Sequence, residues 1–316
     1  MSVVGLPEKV EICEVAPRDG FQSEHEWIPT KEKINIVRAL AETGVRFIEL
    51  TSFVHPKAIP QLRDAEEVVK GTEDLTNVKF RALVPNLKGA QRAIKAGIKI
   101  IKLMLSATDS HSLSNANCLV EEALQGFKPI IELAEKHRVV VGGSISVAFG
   151  CPYEGNVPIE KLIGIVDRYK EMGVKEVSLA DTTGMANPKQ VYEYLGVLRN
   201  EFPDMAFSMH FHNTRGMALA NVFAALQQGV TKFDSSVAGI GGCPYAPGAT
   251  GNVATEDLVH MMDEMGIDTG IDLDKMIGVA KSVKNLLGHD GGSYMLQAGP
   301  CSQLNPKPTG QVKLER

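Results

Sequence analysis

Short β-branched runs alternate with amphipathic stretches along almost the whole chain, and no other feature limits the possible folds so strongly. The strand-like runs are Val10–Val15, Phe47–Leu50, Lys79–Val84, Ile98–Leu105, Val139–Val147, Glu176–Leu179, Ala206–Phe211 and Lys232–Val237. Helical patterns follow them at Thr30–Glu42, Asp64–Lys70, Leu87–Ala96, Val120–Lys136, Ile159–Met172, Pro188–Asn200, Ala218–Gln228 and Thr255–Met265. Such alternation implies parallel strands joined by helical crossovers. Eight units in 316 residues predict an α/β fold closed into a (β/α)8 TIM barrel rather than an open doubly wound sheet. No G-x-G-x-x-G follows an early strand, which weakens a dinucleotide-binding reading. Thr43-Gly44, Ala96-Gly97, Met172-Gly173 and Gln228-Gly229 stand before successive strands, where a glycine supplies the left-handed cap that stops a helix. An additional C-terminal helix is predicted at Leu273–Leu287. The predicted organisation is one barrel with that helix over residues 1–290 and a tail over 291–316, loose from Gly299 onward.

An apolar share of 44% is ample for a full core, and 22% charged residues is ordinary for a globular chain. A net charge of −5 with both signs interspersed argues against nucleic acid or an anionic membrane as partner, since either requires a clustered basic face. The five cysteines, Cys13, Cys118, Cys151, Cys243 and Cys301, are odd in number and far apart. They suggest neither a disulfide framework nor a thiolate zinc site, and reduced thiols fit a cytoplasmic protein. The first residues are too few and too polar for a signal peptide, and no apolar run approaches the roughly 20 residues of a membrane span.

The carboxyl ends of barrel strands are where a site is expected, and unusual polar residues fall there. Arg18 and Asp19 follow the first strand, and His210-Phe211-His212 ends the seventh. Residues two apart on a strand share a face, so both imidazoles can point into one cavity. Asn252 lies after the eighth strand, and closure of the sheet brings these positions together. Two imidazoles, a carboxylate and an amide oxygen make a mixed nitrogen–oxygen set suited to Mg²⁺ or Mn²⁺ with exchangeable ligands; the alternative is that the histidines merely cap the strand. Arg18 offers a fixed charge and a planar fork of donors, for an oxyanion or for an ordinary ion pair. Glu49 and Asp181 also end strands, as a general base or as support for neighbouring groups. Cys243 stands in a glycine-dense loop, Gly239 to Gly248, where a thiol can exchange protons or simply pack. Cys151 reads as structural, at the end of the fifth strand.

Together these stretches resemble the 3-hydroxy-3-methylglutaryl-CoA lyase family of metal-dependent barrel enzymes, over about Val10 to Leu287. Arg18-Asp19-Gly20 with His210-x-His212 is the broad part of the likeness, shared with isopropylmalate and citramalate synthases and some aldolases. The specific part is Gly242-Cys243-Pro244-Tyr245 running into Gly251-Asn252-Val253-Ala254-Thr255-Glu256-Asp257-Leu258, with Pro85-Asn86-Leu87-Lys88-Gly89 and Gly150-Cys151-Pro152-Tyr153-Glu154-Gly155. The resemblance implies Asp19, His210, His212 and Asn252 as metal ligands. It implies Arg18, Glu49, Asp181, His210 and Cys243 as catalytic, with Gln22, Ser52 and Ser178 lining the substrate site. It further implies retro-Claisen cleavage of an acyl-CoA substrate to acetyl-CoA and a ketoacid such as acetoacetate, by a homo-oligomer. Where the family usually reads Asp-Thr-Tyr-Gly, this chain has Asn213-Thr214-Arg215-Gly216, a change of +2 in charge that bears on the acyl branch. Alternatives are a condensing synthase of the isopropylmalate type, a ketoacid aldolase, or a catalytically silent acyl-CoA-binding barrel.

Overall fold

Eight parallel strands close on themselves, as the alternation predicts. The computed structural model describes residues 5–242 and 251–306. The strands are β1 (Glu11–Glu14), β2 (Phe47–Ser52), β3 (Lys79–Leu83), β4 (Ile100–Ser106), β5 (Val140–Ser146), β6 (Glu176–Asp181), β7 (Ala206–Phe211) and β8 (Lys232–Ser235). Each pairs with its neighbour in sequence, and β1 pairs with β8 through Cys13↔Asp234 and Glu14↔Ser235. The helices are α1 (Thr30–Glu42), α2 (Ala65–Lys70), α3 (Leu87–Lys95), α4 (Asp109–Ala116), α5 (Val120–Lys136), α6 (Ile159–Glu171), α7 (Pro188–Glu201), α8 (Ala218–Gln227), α9 (Thr255–Glu264), α10 (Leu273–Leu287) and α11 (Tyr294–Ala298). Apart from α4, the apolar sides of these helices pack on the outward residues of the strands in one continuous core, so the barrel lumen is left to polar groups. Helix ends follow the expected chemistry. Gly44 has φ +104°, and a Cβ there would lie 2.2 Å from the Gly270 carbonyl oxygen.

Two local features differ from the sequence expectation. α4 has no apolar period to reveal it, because Asp-Ser-His-Ser-Leu-Ser-Asn-Ala is polar on most sides. Cys151 does not end the fifth strand. It sits beyond it in a two-residue hairpin, pairing with Gly155, and its buried Sγ accepts a hydrogen bond from Thr108 Oγ1 at 3.1 Å. The four described cysteines are free thiols. Within the span predicted as tail, α11 docks on α9, with the Tyr294 and Met295 amides donating to the Asp257 carboxylate at 2.9 and 2.8 Å. Among the described residues no helix is long and apolar enough to cross a membrane.

The seam where β1 meets β8 is stitched by buried carboxyls. Glu14 accepts from the Ala16 and Val237 amides and from Thr255 Oγ1. Glu256, in the first turn of α9, accepts from the Ala238 amide at 3.1 Å. Burial lifts the Glu256 carboxyl from 4.5 to about 8. The folded state therefore retains a proton that the unfolded chain has released. The stability this gives is full below about pH 4.5 and falls as pH rises through 8, by about 5 kcal/mol in all. Glu256→Gln keeps the shape without the ionisation. Its denaturant midpoint is expected to be flatter than the wild type's between pH 5 and 9, and parallel curves would contradict the assignment.

Candidate metal centre and active site

Where β1 ends, the chain turns through one wide helical turn, Ala16–Gly20, with the Asp19 amide bonded to the Val15 carbonyl at 2.7 Å. Wide turns of this kind re-aim side chains and recur at functional sites. Here the turn points Arg18 and Asp19, both buried, back over the strand ends. At the end of β7, alternation directs His210 and His212 into the mouth while Phe211 packs against Phe149 outside the lumen. Asn252 arrives by a route the sequence does not announce. Residues after β8 return to pair with the end of β7, with Val253 N donating to Phe211 O at 3.0 Å and Asn213 N to Gly251 O at 3.0 Å. That return needs Gly251, whose Cβ would lie 1.8 Å from the Gly239 carbonyl oxygen.

The four predicted ligands thus converge. His210 Nε2 and His212 Nε2 are 3.1 Å apart, and Asp19 Oδ2 lies 3.7 and 3.8 Å from them. Asn252 Nδ2 donates to Asp19 Oδ2 at 2.8 Å, while its Oδ1 is buried without a hydrogen-bond partner among the described residues. Asp234 Oδ2 sits 3.3 Å from His210 Nδ1, which assigns the proton to that nitrogen and leaves the Nε2 lone pair facing the cavity. Burial, reinforced by His210, lowers His212 to about 3, so its imidazole is neutral. Burial opposes ionisation of Asp19, but Arg18 and the two histidines hold its carboxyl well below the usual range. Two lone pairs at 3.1 Å match the roughly 3.0 Å between adjacent ligands of an octahedral ion with bonds of about 2.1 Å. The donors fit a divalent cation.

Arg18 is held from two sides. Its Nε meets Glu49 Oε1 at 2.5 Å and its Nη1 pairs with Asp19 Oδ1. Nη2 has no bond to any described residue. Glu49 in turn contacts Arg81 Nε at 2.6 Å and Lys102 Nζ at 3.7 Å. Burial would raise the Glu49 carboxyl, but Arg18, Arg81 and Lys102 overcome it and hold the group at about 2. A carboxylate held so low accepts no proton near neutrality, so of its two expected roles the geometry favours orienting Arg18. Asp181 differs. Its Oδ1 accepts the Met185 and Ala186 amides at 2.8 and 3.0 Å, fixing the β6–α7 loop, while Oδ2 is buried and unpartnered among the described residues. Burial raises this carboxyl to about 6, against a pull from Arg215 and His210. Gln22 Nε2 donates to Asp19 Oδ1 at 3.0 Å. The Ser52 and Ser178 hydroxyls are buried without partners among the described residues; Ser178 aligns with Ser208, one inward layer beneath His210. Arg215 donates to the Thr183 and Gly184 carbonyls at 2.7 and 3.2 Å. Cys243 lies outside the described residues.

Sequence reasoning overlooked the charges beneath this site. Asp234 binds Lys102 at 2.8 Å and Arg81 at 3.1 Å, and with Glu49 they form one buried network under His210. A signal existed: Arg81, Lys102 and Asp234 stand inside parallel strands beside apolar neighbours, and a charge in a strand buried on both sides has to face partners.

Comparison with known proteins identifies the family. Residues 9–283 match the HMGL-like family. The hydroxymethylglutaryl-CoA lyase YngG of Bacillus subtilis (strain 168) is 46% identical over 92% of this chain and 97% of its own length. The mitochondrial hydroxymethylglutaryl-CoA lyase of Homo sapiens is 42% identical over 93% of this chain and 90% of its own. Among solved structures, an HMG-CoA lyase from Acenitobacter baumannii in complex with coenzyme A and 3-methylmalate superposes with a TM-score of 0.91 at 42% identity, covering 98% of this chain and 100% of that one. The chain belongs to the HMGL-like family.

Proposed function

We propose that this enzyme cleaves 3-hydroxy-3-methylglutaryl-CoA, or a close 3-hydroxyacyl-CoA analogue, to acetyl-CoA and a β-ketoacid, with Mg²⁺ or Mn²⁺ held by Asp19, His210, His212 and Asn252. The observation that carries the reading is an arginine, its Nη2 unbonded among the described residues, beside converged metal donors. Retro-Claisen cleavage needs both an acidified hydroxyl and a resting place for enolate charge. A bound cation would lower the pKa of the substrate hydroxyl. Asp181 Oδ2, lifted towards neutrality and unpartnered, is the candidate to take the hydroxyl proton. As the carbon–carbon bond breaks, its electron pair moves into the thioester enolate, and Arg18 Nη2 donates to the developing oxyanion. The Cys243 thiol is the candidate to protonate the enolate carbon, completing acetyl-CoA, while the former carbinol carbon leaves as the ketone. The positive Arg215, held over the loop that Asp181 caps, is placed to influence the acyl branch.

The test is to strip the protein with chelator, restore Mg²⁺ or Mn²⁺, and present a panel of 3-hydroxyacyl-CoAs with both fragments identified by mass. Chelation is expected to abolish turnover and either cation to restore it. Saturating kinetics on the methylglutaryl thioester support the parent substrate. Turnover confined to another branch moves the assignment to a relative, and condensation without cleavage overturns it.

A further inference from the structure

Outside the barrel mouth a second set of metal-capable side chains comes together. His260 and Glu264 lie four residues apart on α9, hence on one face of the helix, and Cys301 is carried to that face by the chain leaving α11. One donor atom from each of the three lies within 4.8 Å of the others, the only such group among the described residues besides Asp19, His210 and His212. Cys301 Sγ is 3.3 Å from His260 Nε2. The approach belongs to a built docking. Ser293 Oγ and the Tyr294 and Met295 amides already bind Asp257 in the first turn of α9, and the same segment returns to the helix one turn later.

We propose that His260, Glu264 and Cys301 form a peripheral site for a zinc-class divalent cation, fastening the C-terminal segment to α9. Thiolate, imidazole and carboxylate are a donor set for a borderline-soft ion, with a fourth position open to water. In a tetrahedral zinc site with bonds of about 2.3 Å to sulfur and 2.0 Å to nitrogen, those two atoms stand about 3.5 Å apart, close to the separation here. His260 is half-buried while Glu264 and Cys301 are exposed, so an ion can enter without any unfolding. The surroundings carry negative charge: Asp263 stands three residues from His260 on the same helix and feels both Glu264 and Asp268, the last of which is paired with Lys9 at 3.0 Å. Coordination displaces the thiol proton to solvent, with no redox change. The donor set differs from that of the barrel site, which offers nitrogen and oxygen and so favours a harder ion.

The full-length protein, kept reduced and saturated with Mg²⁺, is titrated with Co²⁺ and followed by absorption. A thiolate-to-cobalt charge-transfer band is expected, lost on adding Zn²⁺. Cys301→Ser and His260→Ala are expected to lose the band and keep the wild-type rate of thioester cleavage. Because the proposed function gives a second thiol, Cys243, a role at the barrel site, Cys243→Ser serves as control and is expected to keep the band. No band in the wild type, a band that survives Cys301→Ser, or one removed by Cys243→Ser would each overturn the proposal.

Discussion

Arg18→Gln is expected to lower kcat for thioester cleavage by about 10²–10³-fold, the usual consequence of removing one donor to a developing oxyanion, with a much smaller change in KM. The split follows from where the charge arises. The thioester carbonyl is nearly neutral in the bound substrate and becomes an enolate only as the bond breaks, so the lost interaction belongs to the transition state. Arg18→Lys is expected to behave almost as badly. Lysine keeps the charge, but only the planar fork can bridge Glu49 and Asp19 and still present a third nitrogen. A steady-state comparison of both variants with saturating metal checks this. A large rise in KM with kcat intact would mean that Arg18 binds ground-state substrate and does not stabilise the enolate. Metal affinity, read separately, guards against an indirect loss through Asp19.

How far the sequence foretold this site depends on the range of the interaction concerned. The barrel was legible because its signal is local and repeated: strand periods and helix stops recur in each unit. The two imidazoles were legible because alternation along β7 is also local. Asp19 required one further step, the assumption that eight units close, and the β1–β8 pairing supplies it. Asn252 was expected beside Asp19 and does bond to it, yet the reason for its position was not readable. The return of residues 251–254 onto the end of β7 depends on backbone contacts between distant segments and on the close approach at Gly251. The lumen network was missed for a related reason. Arg81 and Lys102 look like solvent-facing breaks in their strands until Glu49, on the strand beside Arg81, and Asp234, across the barrel, are known to meet them. The carboxyl of Glu14, which holds β1 to the entry of α9, is equally silent in sequence.

That hidden network makes its own large prediction. Asp234→Asn should destabilise the metal-free protein by about 3–5 kcal/mol, the range for breaking a buried ion pair by removing one partner. The asparagine is almost the same size, so the loss is electrostatic. Arg81 and Lys102, both buried, would share Glu49 as their remaining anion while Arg18 also draws on it. Burial opposes ionisation of Asp234, yet Arg81, Lys102 and His210 hold its carboxyl far below the usual range. Its stabilising charge is therefore present above about pH 4 and lost only in acid, so the difference between variant and wild type should shrink as pH falls. The same substitution frees the His210 ring, and metal affinity should weaken about 10- to 100-fold. Adding Lys102→Met removes one of the stranded cations and should recover much of the stability while leaving metal affinity low, since methionine cannot orient an imidazole. Denaturant unfolding without metal and a metal titration at neutral pH separate the two effects. If the double variant regains metal affinity together with stability, Asp234 acts only through the fold, and its contact with His210 has no part in shaping the metal site.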